Sequence, residues 1–449
     1  MTARAKQSTK PQLEATGPLG YDPAMSHYYV DARSESKPVT HAHVNDTEKP
    51  HPPADAAVST GRRPLRVLYT MSEYIDGRKG SCHHFLSVVR GLRRRGHCVF
   101  VAAPRIGEPL DRQVGDGRLL IPLPHVRMVF LVFQVLLAMC LPGLALLWQP
   151  EALMIRALPG AYWLVALAGK LLGMRVVVEV NGIPWEEMDS RGLGRISTWV
   201  ARWSTRLLCR CADEVISVTP GISEAMRQMT GMAPERFTTV QNAVDVDAIC
   251  AGRRETIREE LGLSGETFVA GFIGTFDVWH GMEELVRSIE WLDDEARAGV
   301  VYVFAGDGER REATQAATQE YGEAMRFPGR LSREQVRDWL AAFDIGIFIT
   351  QDERKRRYGT SPLKFWEYLA AGLPVLITDE PNLTPIVREN NMGLVIDEAT
   401  PQAIGEALTE AYHRREELAE IGRRNAAWAK QFGSWDHACR RIERTLGGR

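Results

Sequence analysis

The chain has no excess of charge of either sign. Its 449 residues carry 55 Lys and Arg against 57 Asp and Glu, a formal net charge of -2. That excludes the broad basic footprint by which proteins hold nucleic acid, and no nucleic acid is expected as a partner. The chain also lacks any C-x-x-C pair. Its seven cysteines are odd in number and scattered, and Cys209 and Cys211 stand too close together to make a metal framework on their own. Reduced thiols in the cytoplasm are the default reading. No apolar run follows the first basic residues, so no secretory signal is visible. Basic residues gather only locally, in Arg93–Arg95 and Arg354–Arg357. Such runs are solvated faces, or contacts for phosphate or an anionic membrane.

What is present is ordinary for a globular protein: 45% hydrophobic and 25% charged residues. The length suffices for two sizeable domains and a tail. Residues 1–62, rich in Pro, Ser, Thr, His and charge, read as a disordered tail. From Arg66 onward short apolar runs alternate with helical periodicity. Arg66–Thr70, Cys98–Ala103, Ala152–Arg156, Arg175–Val180, Glu214–Val218 and Phe237–Gln241 read as strands of one series. Phe268–Gly274, Val300–Gly306, Ile345–Ile349, Val375–Thr378 and Gly393–Ile396 form a second. The expected fold is α/β, with two doubly wound Rossmann-like domains facing a cleft. Residues 63–250 and 251–429 make the domains, their junction falls near 245–265, and a helix at about 430–449 packs back on the first. Ligands of such sheets bind beyond the strand C-termini, which places the site in the cleft.

Met128–Trp148 is uncharged and about long enough to cross a bilayer. Yet strands of one sheet flank it, and a crossing would put Val67 and Ile155 in different compartments. Gln134 and Pro142-Gly143 also weaken a continuous spanning helix. The segment reads as a buried or interfacial helix. Basic residues nearby (Arg112, Arg118, Arg127) suit docking on a membrane surface, and the rival reading is core.

Between Gly359 and Thr378 a helix is marked at both ends. Ser361 is placed to cap it, Pro362 suits its first position, and Gly372 with Pro374 stops it. Lys364 then falls in the first turn, where the helix dipole disfavours a cation. An anion at the helix N-terminus would explain it. Glu367, three residues on, shares its face. A cation for phosphate beside a carboxylate for a sugar hydroxyl points to a nucleotide-sugar site; a surface Lys364–Glu367 pair is the alternative.

Further motifs follow in order. They are Leu92-Arg-Arg-Arg-Gly-His97-Cys-Val99, Asn242-Ala-Val-Asp245, Gly271-Phe-Ile-Gly274, Trp279-His-Gly281, Gly306-Asp-Gly308, Phe327-Pro-Gly-Arg330 and Ser361 to Pro374. With them the chain from about 66 to 446 resembles the retaining GT-B glycosyltransferases of family four. The resemblance implies that Glu367 accepts hydrogen bonds from ribose, while Lys364 and the amides of Gly359, Thr360 and Ser361 cradle the diphosphate. It places Gly274, Thr275, His280, Gly306 and Gly308 in donor-binding loops and the nucleobase along Arg330 and Leu331. In the first domain Gly80 faces the donor, Glu179 and Asn181 line the acceptor side, and His84 joins Lys364 and Glu367 as a catalytic candidate. A structural histidine is the alternative for His84, and tight turns for the glycines.

Some positions depart from the family pattern. Gly359 stands where a first glutamate is expected, Lys79 replaces a glycine, and Thr275 and His280 replace the arginine and lysine that grip the diphosphate. Asp245-Val-Asp247 has the look of a metal-binding D-x-D, but its place after Asn242 favours a linker. Neither a metal nor a cofactor is expected. The implied function is retaining transfer of a sugar from a nucleotide-sugar donor to a carbohydrate or lipid-linked acceptor. The site would be cytoplasmic or peripheral on the inner face of the membrane, with contact through 128–148. A nucleotide-sugar 2-epimerase shares the fold, and Gly359 leaves a non-catalytic nucleotide-sugar-binding subunit open.

Overall fold

The computed structural model describes residues 63–75, 80–105, 114–123, 129–190, 192–249 and 252–447. The tail at 1–62, Lys79, Arg112 and Arg127 lie outside them.

In the first half the elements are β1 (Arg66–Thr70), α1 (Gly80–Arg94), β2 (Cys98–Arg105), β3 (Gly117–Pro122), α2 (Val129–Trp148), β4 (Ala152–Arg156) and α3 (Tyr162–Leu171). They continue with β5 (Arg175–Val180), α4 (Pro184–Ser190), α5 (Arg195–Cys211), β6 (Glu214–Ser217), α6 (Pro220–Thr230) and β7 (Phe237–Thr239). All pair in parallel, in the order β3-β2-β1-β4-β5-β6-β7. Strands buried on both faces read as unbroken apolar runs, as Val176-Val-Val178 does. Alternation then assigns the faces. Leu68, Ile155 and Val176 pack with Phe133 of α2 and Val165 of α3. Val67, Tyr69 and Met154 pack with Phe85 and Val88 of α1.

The second half begins after α7 (Val246–Ile249) and α8 (Arg254–Glu260). It contains β8 (Phe268–Thr275), α9 (Met282–Arg287), α10 (Asp294–Gly299), β9 (Val300–Asp307), α11 (Arg311–Ala317), β10 (Met325–Gly329), α12 (Arg333–Ala342) and β11 (Ile345–Phe348). Then come α13 (Glu353–Tyr358), α14 (Leu363–Ala370), β12 (Val375–Thr378), α15 (Thr384–Glu389), β13 (Gly393–Ile396), α16 (Pro401–His413), α17 (Arg415–Phe432) and α18 (Trp435–Gly447). This sheet is also parallel, in the order β10-β9-β8-β11-β12-β13. Strand order reverses between β1 and β4 and between β8 and β11, and crevices open at such reversals.

Two strands escape the sequence pattern. β3 is a half-exposed edge strand carrying Arg118. β10 runs through Phe327-Pro328-Gly329, outside the strands expected above; Pro328 is tolerated because the strand lies at the sheet edge. Helix α2 continues through Pro142 to Trp148, with Pro142 on its exposed side. It buries one side, through Phe133, Leu137 and Leu141, and leaves the rest exposed or half-buried, as an interfacial helix would.

The chain crosses between the halves twice, side by side. The Val244 amide donates to the Gly433 carbonyl at 2.9 Å, and Trp435 donates back to Val244 at 3.2 Å. Beyond that crossing α18 lies against α1. Gly91 lets the helices approach, because a Cβ there would overlap Cys439 Sγ. The contact is locked by a buried ion pair, Arg95 Nη2 to Glu443 Oε2 at 2.7 Å. Removing one partner strands a buried charge, whereas replacing both with apolar residues does not. Glu443→Ala should therefore cost about 3–5 kcal/mol in urea denaturation. The pair Arg95→Met with Glu443→Leu should cost clearly less.

Candidate functional site

Beyond the C-termini of β8 and β11 the chain brings together Lys364, His280 and Glu367. Helix α14 starts one residue later than the sequence suggests. Pro362 is its N-cap residue and makes no side-chain cap. The reason is a competing partner: the Ser361 hydroxyl accepts a hydrogen bond from the Asn242 amide at 2.8 Å. Lys364 projects from the first turn toward the end of β8. Its ammonium lies over the Phe272 ring, 4.2 Å from the centroid, and 3.4 Å from His280 Nε2. Gly274 makes room for it, since a Cβ there, at φ 152°, would meet the lysine tip. Burial, then the charge of Lys355, pushes the Lys364 amine down to about 7.

His280 is buried. Its Nδ1 lies 3.4 Å from the Ile349 carbonyl, which accepts only if that nitrogen carries the proton. Nε2 is then free to accept from Lys364. Burial and the lysine charge hold the ring well below the usual imidazole range, in keeping with that neutral form. Glu367 is half-buried, and its carboxylate makes no hydrogen bond to another described residue. Burial raises its carboxyl, and the charges of Arg333 and Lys364 oppose the rise.

The first domain reaches this helix turn through a chain of polar contacts. Glu179, buried at the end of β5, accepts from Tyr69, from Arg156 Nη1 at 3.0 Å and from Asn181 Nδ2 at 2.7 Å. His84 Nε2 lies 2.5 Å from the same carboxylate. Burial alone would raise the Glu179 carboxyl, but His84 and Arg156 more than offset it and hold the group well below the carboxylate range. On the other side His84 Nδ1 is 2.6 Å from Asn242 Oδ1, and Asn242 Nδ2 donates to the Ser361 carbonyl. That bond fixes the amide orientation. Both ring nitrogens of His84 therefore face acceptors.

A model of the glycosyl transferases group 1 family matches residues 253–428, and one of glycosyltransferase family 4 matches residues 79–248. The chain belongs to the group 1 glycosyltransferases. D-inositol 3-phosphate glycosyltransferase 1 of Catenulispora acidiphila is 26% identical to it over 241 residues, 51% of this chain and 56% of that protein. The chain thus spans about half the length of the curated relatives it matches. The solved structure of Anabaena HepE in complex with UDP and glucose gives a TM-score of 0.65 at 15% identity, covering 85% of this chain and 99% of that one. WaaG, a glycosyltransferase involved in lipopolysaccharide biosynthesis, gives 0.62 at 16% identity, covering 85% and 100%. These likenesses are of fold, the two-domain GT-B arrangement.

Within this group 1 glycosyltransferase the other expected positions separate. Gly80 begins α1 opposite Leu363, across the cleft from α14. Gly306 and Gly308 serve the backbone, since a Cβ at either would overlap the chain at Gly274 or Phe276. Thr275 donates to Asp277 and is exposed. Arg330, exposed, and Leu331, half-buried, follow β10. Two of the three amides expected to cradle diphosphate are already engaged, Gly359 with the Lys355 carbonyl at 2.7 Å and Thr360 with Asn382 Oδ1 at 2.8 Å. Asp245 lies 3.7 Å from Arg94 in an ion pair. Among the described residues no group of three or more His, Cys, Asp or Glu is gathered as metal ligands would be.

Sequence reasoning missed several cleft residues. His83, beside His84, is half-buried and pushed down to about 3 by burial, then by Arg333 and Arg90. Lys355, which lies over the Trp279 ring at 5.5 Å, is pushed down to about 8 by burial. Glu380, just past β12, is fully buried with neither carboxylate oxygen hydrogen-bonded, and burial pushes it up to about 8. A cleft of about 670 Å³ opens between α4 and α13, lined by Glu186, Ser190, Trp279, Asp352 and Arg354 among others. No local spacing flags them; only the Arg354–Arg357 run hinted at charge here.

Gly359 explains its own departure from the family pattern. Its φ is 76°, and a Cβ would overlap Asn382 Oδ1 and sit 3.3 Å from Thr219 Cβ. Left-handed backbone costs a non-glycine residue about 1–3 kcal/mol. Gly359→Ala should lose about that much in chemical denaturation. Gly359→Glu should lose at least as much and gain no activity, because a side chain there would overlap Asn382.

Proposed function

We propose that the protein transfers a sugar from a nucleoside-diphosphate donor to an acceptor hydroxyl, with retention at the anomeric carbon. The observation that carries this reading is the first turn of α14. A lysine held by neutral groups and a carboxylate without a hydrogen bond stand side by side at the cleft end of a parallel sheet. Glu367 suits two ribose hydroxyls, and Lys364 with the helix N-terminus suits the diphosphate. Negative charge grows on that diphosphate as it leaves, so a fixed cation and aligned dipoles stabilise the transition state more than the ground state. The bond from the anomeric carbon to the donor phosphate oxygen breaks, a bond to the acceptor oxygen forms on the same face, and the acceptor proton passes to the diphosphate. His280 acts here by positioning Lys364, and His84 by holding Asn242 against Ser361. The acceptor in this reading is a glycolipid or polysaccharide intermediate met at the inner face of a membrane, which segment 128–148 touches. The involvement of WaaG in lipopolysaccharide biosynthesis supports that class of acceptor.

The test is incubation with UDP-, GDP- and ADP-sugars and a cell-envelope lipid extract. Acceptor-dependent release of nucleoside diphosphate is expected. Epimerised sugar without acceptor, or tight binding without turnover, would replace the reading. Glu367→Gln should weaken donor binding while leaving the fold intact, and Lys364→Ala should weaken donor binding and lower kcat as well.

A second expectation follows from Lys364. Its amine is partly neutral near pH 7 in the empty site, and a bound diphosphate favours the ammonium. Donor binding should therefore take up a proton above about pH 7, and affinity should fall about tenfold per pH unit there. Titration calorimetry in buffers of different ionisation enthalpy measures the uptake. In Lys364→Arg, which stays charged, this pH dependence should vanish.

A further inference from the structure

All but three of the large apolar side chains exposed among the described residues fall between Val132 and Trp203; the others are Val278, Trp291 and Phe432. Those from Val132 to Trp203 sit on α2, on α3 and the residue that ends it, on α5 and on the turn before α5. These helices form one layer over the same face of the first sheet. Phe133 of α2, Val165 of α3 and Leu208 of α5 all enter the core beneath it. Trp163 of α3 meets Trp203 of α5 at 6.1 Å, and Ser204 of α5 accepts from the Gly160 amide at 3.1 Å. With one side of each helix turned to the sheet, their outer sides face the same way. Leu147, Ile196 and Trp199 stand 86%, 81% and 63% exposed on that outer surface.

The charges of the layer point to an occupant. Helix α2 has no charged residue, and the one charge on α3, Lys170, is paired with Asp213 at 2.7 Å. Helix α5 carries Arg195, Arg202, Arg206 and Arg210 and no acid. Arg195, Trp199, Arg202, Trp203 and Arg206 recur at three- and four-residue spacing, so guanidinium groups and indoles share one exposed face. Indoles and basic side chains around an apolar surface match the headgroup zone of a bilayer. A second copy of the chain would set these arginines against themselves.

We propose that α2, α3 and α5 together form a docking face that lies in the plane of an anionic phospholipid bilayer. This deepens the membrane contact of the reading above from one helix to three; it rests on that contact and not on the transfer chemistry. Helix α2 cannot leave the sheet to span the membrane without breaking its core contacts. Gln134 is fully buried, its Nε2 donating to Ser72 Oγ at 3.1 Å and its Oε1 accepting from the Ala161 amide at 2.5 Å. The face adjoins the cleft, because Arg202 lies over the Trp185 ring of α4 at 5.8 Å and Glu186 of α4 accepts from Tyr358. A lipid-linked acceptor would rise from the bilayer beside the sugar site.

The experiment uses the full chain with vesicles of phosphatidylcholine alone or mixed with phosphatidylglycerol. Sedimentation with the mixed vesicles is expected, and binding should weaken with salt. Trp199→Ser with Trp203→Ser should lower vesicle affinity by about tenfold or more. Arg202→Gln and Arg206→Gln should each lower it about fivefold. Leu146→Ser with Leu147→Ser, at the far end of α2, should act like the tryptophan pair without touching any core contact. Donor binding measured in solution should not change in any of these variants. Brominated lipids should quench tryptophan most when the bromines are shallow. Absence of vesicle binding, binding indifferent to these variants, deepest quenching at the bilayer centre, or a dimer that covers Trp199 would each overturn the proposal. A chain that docks but transfers no sugar would sink the proposed function and leave the docking face standing.

Discussion

A carboxylate taken out of water has to be matched by donors or lose its charge. Glu179 is matched by four groups, Tyr69, Arg156, Asn181 and His84, drawn from β1, β4, the end of β5 and α1. The demand does not stop there. His84 turns its other nitrogen to Asn242, and Asn242 holds both the hydroxyl and the carbonyl of Ser361. One buried charge in the first domain thus fixes the entry of the helix that carries Lys364 and Glu367 in the second. The capping bond that Ser361 could have made within its own helix is given up for this link.

The second domain answers with a different device. Among the described residues Lys364 has no carboxylate within ion-pair distance. It rests on the faces of Phe272 and Phe348 and on a neutral His280. Such partners hold a cation in place without neutralising it, so most of its field stays directed into the cleft. His280 is then a support for the lysine one helix away. Gly274 completes the arrangement by leaving the lysine tip unobstructed.

Much of the fold was legible because its signals are local. Parallel strands buried on both faces are short unbroken apolar runs, and nearly every central strand could be placed from them. The edges were not legible, since β3 is half-exposed and β10 contains a proline and a glycine. The same divide runs through the site. Lys364 and Glu367 are three residues apart on one helix, so their pairing could be read directly. The contact of Asn382 with Thr360 spans 22 residues and that of His84 with Asn242 spans 158, and no periodicity encodes either. Gly359 was visible as a missing glutamate. Its cause, a left-handed turn pressed between Asn382 and Thr219, exists only in three dimensions.

The contacts between the halves differ in what it takes to part them. At the cleft rim they are hydrogen bonds, Thr219 to the Tyr358 carbonyl at 2.5 Å, Arg354 to Ser190 at 2.8 Å and Tyr358 to Glu186, with a long Arg357–Glu186 ion pair at 3.8 Å and the half-buried Tyr358 ring on the edge of the first core. Each hydrogen bond contributes about 1 kcal/mol net, and water can replace each partner as the rim opens. At the chain crossing, Val244 is bonded to both Gly433 and Trp435, and Trp435 is buried in the first core with its indole against His84. Opening is therefore cheapest as a rotation about the crossing that releases the rim. The first rim contacts to go involve α4, the helix that also underlies Arg202 at the margin of the apolar face. Entry of an acceptor from that side and release of the rim would then be one motion, in which the Asn242–Ser361 link nearer the crossing is the last contact to strain.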